Sequence, residues 1–209
     1  MMLDRDRAAR AQLSLSKLVR MEPIEIARIS RIGAVDVAYE GNVGCAVYVE
    51  ADFPSIENAM VVRSCSPVKI AYVSTYLAFR EAPPIINLML NKVRKRPQLL
   101  LVNGHGLAHP RSCGLATHLG VVLRLPTIGI SRRLIGDPDS NFNKDFAVKI
   151  GGFYISPGNR ITLRQSVEII RGLPLSHGYP EPLGKAHCES KKAIEEDLRQ
   201  KGEGTGFPS

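Results

Sequence analysis

Asp36 stands out because it interrupts an apolar run, Ala34-Val35-Asp36-Val37-Ala38. A charge inside such a segment needs a partner or a metal, unless the position faces water at a sheet edge. Glu81 follows Leu77-Ala78-Phe79-Arg80 and precedes Pro83-Pro84 at a helix start. There the helix dipole alone is enough to account for a carboxylate. The richest segment is Val102-Asn103-Gly104-His105-Gly106-Leu107-Ala108-His109-Pro110-Arg111. Its glycines let a backbone approach a ligand closely. His105 and His109 are four apart, as in a zinc pair on a helix. The glycines oppose a helix here, however, and no Glu fills the H-E-x-x-H position. A tight loop with satisfied histidines competes with that reading.

These residues need a frame to bring them together. Residues 34–39 and 45–49 flank Glu40-Gly41-Asn42-Val43-Gly44 and read as a β-hairpin, with a third antiparallel strand over 58–65. Ile85, Ile86, Leu88, Met89 and Val93 fall at helical spacing, and Arg94-Lys95-Arg96-Pro97 stops that helix. The basic triplet suits backbone phosphates or a solvated helix end equally well. Leu99-Leu100-Leu101-Val102 and Pro126-Thr127-Ile128-Gly129-Ile130 read as buried strands, with a helix over 115–122 between them. A further hairpin is expected over 151–154 and 160–163, turning at Pro157-Gly158-Asn159. Helices are expected over 8–19, 166–171 and 185–200, and a frayed tail over 202–209. The order predicts an α/β fold: a mixed sheet of three antiparallel strands, then parallel strands, flanked by helices, with sites at strand ends.

At 209 residues the chain has room for one substantial core, so a single domain over 1–209 is expected, with 1–30 an N-terminal helical segment. A formal charge of +8 favours an anionic partner, nucleic acid first among them, although a basic surface also serves solubility. The four cysteines, Cys45, Cys65, Cys113 and Cys188, form no C-x-x-C pair. That argues against a zinc ribbon or a disulfide framework and fits a reducing cytoplasm. No apolar run approaches membrane-spanning length, so a cytoplasmic protein with no membrane contact is expected.

Five co-linear blocks between about Ile32 and His187 resemble the endonuclease V family, the deoxyinosine-directed nucleases of ribonuclease H-like fold. They are Val35–Tyr39, Leu77–Glu81, Gly104–Arg111, Gly114–Gly120 and Leu125–Ile130. The resemblance implies a magnesium-dependent endonuclease, with manganese as a substitute. It would cut DNA on the 3′ side of deoxyinosine, with inosine-containing RNA a further candidate, and act as a monomer. It places the three metal-holding positions on Asp36, Glu81 and Asn103. The family's third acid is Asp, so Asn103 departs from it by one anionic ligand. The loop histidine falls on His109, in a role stabilising or protonating developing charge, and the late histidine on His187. The usual Lys after the Thr127–Ile130 strand is replaced by Ser131 and Arg132. The family's duplex-entering wedge aligns with Ala71-Tyr72-Val73-Ser74, where Tyr72 is kept and both prolines are gone. The lesion-base pocket would use Gly104, Gly106 and the stretch near Leu77. A catalytically impaired relative that binds deaminated or distorted nucleic acid is the alternative; a ribonuclease H-like nuclease without inosine preference is a third reading.

Overall fold

A computed structural model describes residues 3–135 and 144–203. Seven strands form one sheet in the order β3-β2-β1-β4-β5-β7-β6. β1 (Arg31–Glu40), β2 (Val43–Asp52) and β3 (Met60–Pro67) form an antiparallel meander. β4 (Leu99–Asn103) and β5 (Thr127–Ser131) then continue parallel to β1. The second edge returns antiparallel through β7 (Phe153–Asn159) and β6 (Val148–Ile150). Two short strands, β8 (Leu175–Ser176) and β9 (Tyr179–Pro180), pair separately.

Strand side chains alternate between faces, and two cores divide along that alternation. Ile32 and Ala34 of β1, with Leu99 and Leu101 of β4, pack with Ile169 of α4 (Leu163–Gly172) and with Leu183 and Ala186 of α5 (Glu181–Glu203). Val35, Val37, Leu100 and Val102 face the other way. They pack on α2 (Leu77–Asn91) and α3 (Leu115–Leu123) through Ile85, Leu88 and Leu119. Asp36 and Asn103 extend the first set by the period of two, so both side chains belong to the α5 face. Val35 pairs with Val102, which sets Asp36 and Asn103 side by side where the pairing of β1 with β4 ends.

α2 contains Pro83 and Pro84, so the carbonyls of Phe79 and Arg80 lose their usual i+4 donors. Tyr39 Oη donates to the Arg80 carbonyl at 3.4 Å, replacing one of them. The first helix, α1, runs over Arg5–Ser16, earlier than the periodicity predicts, because Asp4 caps it through the Arg7 amide.

Two expectations are corrected. Pro157-Gly158-Asn159 is not a turn: β7 runs through it, and the hairpin turns instead at Gly151, whose φ is +55°. Proline is tolerated here because the β5–β7 register shifts between Thr127 and Ile128, the residue opposite Pro157. The buried Asn159 amide is satisfied by the Gly120 and Leu125 carbonyls. The cysteine spacing argues against a disulfide framework, yet Cys45 and Cys65 are direct cross-strand partners and form a disulfide. Only strand register brings them together, and spacing alone does not reveal it. Cys113 and Cys188 are free. Among the described residues no helix is long and apolar enough to cross a membrane. Of the expected tail, 204–209 lies outside the described residues.

Candidate active site

Asp36, Glu81 and Asn103 converge on one open cleft of about 860 Å³ at the C-terminal ends of β1 and β4. Asp36 is 7% exposed and its carboxylate is held from three sides. Asn103 Nδ2 donates to its Oδ1 at 2.7 Å, and the Ser190 hydroxyl donates to its Oδ2 at 2.8 Å. His187 Nδ1 lies 3.0 Å from the same Oδ2. A carboxylate only accepts, so Nδ1 carries the proton. His187 and Ser190 lie three residues apart on α5, one face of the helix that covers β1.

Glu81 reaches the cleft from the second turn of α2, beyond the first-turn position its sequence predicts. No donor among the described residues reaches its carboxylate. Its pKa lies well above the usual carboxylate range, first because burial strips its water, then because Asp36 repels a second negative charge; Arg80 offsets this in part. Two carboxylates and an amide therefore share a site with unmet demand for positive charge. The oxygen-rich set suits a hard divalent cation, with one neutral ligand in place of a third acid. Among the described residues no three Asp, Glu, His or Cys side chains stand close enough to hold an ion. The cation would rest on Asp36 and Glu81, joined by the Asn103 carbonyl oxygen once its amide is turned.

The rim carries other expected residues. Tyr72 lies on the loop between β3 and α2, 67% exposed, at the cleft mouth beside Leu77. Gly104 and Arg132 line the cleft, and the Arg132 guanidinium sits 4.5 Å from the Tyr179 ring centre. That ring packs on His187, centroids 5.2 Å apart, which links the rim cation to the Asp36 cluster.

Two expected residues lie elsewhere. Gly106 is in the wall behind the cleft: a Cβ there would come within 2.2 Å of the Pro157 carbonyl oxygen. Its role is close backbone packing. His109 is 2% exposed and faces Thr75 instead of the cleft. The Arg111 amide donates to its Nδ1 at 3.2 Å, so its one proton sits on Nε2, 2.9 Å from the Thr75 carbonyl oxygen. Burial lowers its pKa to about 4, which keeps it neutral. The zinc pairing fails on the same geometry, because His105 Nε2 instead meets the Arg133 carbonyl at 2.7 Å. The basic triplet 94–96 lies before β4, at the opposite end of that strand from Asn103. Arg96 there donates to the Leu123 carbonyl, as a helix-end cation does.

Ser190 and Tyr179 line the cleft without having been singled out in the sequence, and His105, weighed there only as a zinc ligand, lines it too. Ser190 had a readable signal, its i+3 spacing from His187; Tyr179 reaches the cleft only through tertiary folding.

The chain matches the endonuclease V family over residues 13–150. It is 40% identical over 173 residues to the endonuclease V of Thermococcus kodakarensis, covering 82% of this chain and 83% of that protein. This chain belongs to the endonuclease V family. Among solved structures, the catalytic domain of human endonuclease V superposes with a TM-score of 0.79 at 26% identity, covering 92% of this chain and 96% of that one. Ciona intestinalis endonuclease V, bound to DNA containing an inosine followed by a ribo-adenosine, shares the fold with a TM-score of 0.80 at 22% identity, covering 91% and 98%. The fold and family expectations hold, and the family makes the chain a nuclease.

Proposed function

We propose that this nuclease hydrolyses a phosphodiester on the 3′ side of deoxyinosine in DNA, with magnesium, and that Asn103 weakens the step. The observation that carries this reading is the convergence of Asp36, Glu81 and Asn103 on one cleft with Tyr72 at its mouth. The Ciona relative's inosine-containing DNA supports the substrate class. Magnesium, when bound, neutralises charge on the phosphate and activates water. The protein's own part is to hold ligands in place. His187 and Ser190 fix the outer oxygen of Asp36, and Asn103 meets the inner one. Arg132 offers the phosphate a cation that stays charged and gives up no proton. Tyr72 is placed to occupy the gap left in a duplex when a base is flipped into the cleft.

The pKa of Glu81 gives a pH dependence with a definite sign. Below its unfolded value both states are protonated and nothing is lost. Above it, the unfolded chain ionises freely while the folded chain must keep the proton or a repelled charge, so stability falls as pH rises through that window. Glu81→Gln is therefore expected to raise the apo-protein's Tm at about pH 7.5 and leave it unchanged near pH 3.5. A cation competes with the same proton, so magnesium should raise the parent's Tm more at about pH 8 than at about pH 6. Equal shifts at both pH values would remove Glu81 from the cation site.

Nicking tests the activity directly. A labelled inosine duplex incubated with magnesium or manganese should be cut on the 3′ side of the lesion, and the matching undamaged duplex left intact. The Asn103–Asp36 hydrogen bond favours a second reading, in which the site is satisfied without a cation and the protein chiefly binds deaminated nucleic acid. A gel shift without metal, and no nicking with it, would select that reading. Cutting of undamaged strands would select a nuclease without inosine preference.

A further inference from the structure

Thr75 is the last residue but one before α2, at the root of the loop that carries Tyr72. Its φ is +67°, a left-handed conformation that crowds a β-branched side chain. Such a backbone persists only where its surroundings impose it. Here three donors converge on one carbonyl: Gln12 Nε2 at 3.0 Å, His109 Nε2 at 2.9 Å and Arg111 Nη2 at 3.1 Å. Arg111 Nη2 also donates to the Thr75 hydroxyl at 2.7 Å.

Gln12 organises the group. It is fully buried, and its amide also donates to the Cys113 carbonyl at 3.1 Å, while its Oε1 accepts from Arg111 Nε at 2.6 Å. The Arg111 guanidinium, oriented in this way, lies 4.4 Å over the Tyr76 ring. One side chain of α1 thus ties the root of the loop to the segment between β4 and α3. Burial of so many polar atoms is costly unless every one is paired, so the cluster holds as a unit or comes apart as one.

We propose that Gln12 is a positioning residue for lesion selectivity: through Thr75 it sets where Tyr72 stands over the cleft, making the N-terminal helix part of the recognition apparatus. This rests on the deoxyinosine reading only for what is selected; the clamp itself is a property of the free protein. Without wedge prolines, the loop takes its order from its root. His109, neutral and committed to the same carbonyl, belongs to this clamp and touches no reacting atom.

The chain has no Trp, so Tyr72→Trp places a single reporter on the loop. In that background, Gln12→Met, which keeps volume and removes every hydrogen bond, should raise acrylamide quenching of the indole by about half or more. Gln12→Glu keeps the acceptor for Arg111 but has no N–H for the two carbonyls, and should fall between. Circular dichroism confirms that each variant is folded, and an unfolded Gln12→Met leaves Gln12→Glu to decide. With Tyr72 restored, Gln12→Met should lower the inosine-to-undamaged ratio of kcat/KM at least about fivefold, while nicking of single-stranded inosine DNA changes less than about twofold. Unchanged quenching in a folded variant overturns the clamp. Raised quenching with an unchanged ratio overturns the role in selectivity. Raised quenching in a protein whose parent cuts no inosine duplex leaves the clamp standing and removes the deoxyinosine reading.

Discussion

Asn103→Asp is expected to raise magnesium-dependent nicking of an inosine duplex at least about tenfold, corresponding to about 1.4 kcal/mol or more of transition-state stabilisation. The amide now donates to Asp36 Oδ1 at 2.7 Å, occupying the oxygen that faces its neighbour across the strand ends. A carboxylate in its place adds an anionic ligand and returns Asp36 Oδ1 to the cation. The same change has a cost in the absence of metal. It replaces a donor with a like charge beside Asp36, and Glu81 already resists ionising there. The metal-free variant should therefore melt below the parent at neutral pH and recover when magnesium is added, with a larger magnesium-induced Tm shift than the parent shows. Faster nicking without that larger shift would place the gain outside cation binding. A larger shift with no gain in nicking would locate the weakness at Arg132 or the altered wedge.

Asp36→Asn should be the most damaging single change, slowing nicking at least about a thousandfold, or about 4 kcal/mol. The replacement keeps an oxygen to accept from Ser190 but removes the carboxylate that three neighbours hold. Metal-free gel shifts on the inosine duplex should change less than about threefold, because the role proposed for this residue is to hold a cation and not to contact the lesion base. Residual nicking within tenfold of the parent would show that the strand-end carboxylate is not central to the chemistry.

The parts of this site legible in sequence are those tied to strand periodicity. Asp36 was visible because a charge in an apolar strand is costly, and Asn103 because a buried strand ends in a glycine loop. Their shared face follows from alternation once the register of β1 against β4 is known. What escaped notice depends on contacts between distant segments. Gly106 and His109 sit in the same motif as Gly104, yet the loop turns them towards Pro157 and Thr75, away from the cleft. The Cys45–Cys65 bond requires knowing that β2 and β3 pair in one particular register. Pro157-Gly158-Asn159 has turn chemistry, but a bulge and the Asn159 side-chain bonds make it strand instead. Gln12 gave no signal, since a lone Gln on an amphipathic helix usually points to water.

Asp36 takes two of its three partners from residues 151 and 154 positions further along the chain. During synthesis β1 leaves the ribosome long before α5 exists. Until that helix emerges and lies across β1, the key carboxylate has neither His187 nor Ser190 to orient it. A nascent chain can therefore complete much of its sheet before Asp36 is oriented, and that orientation arrives only once α5 has emerged.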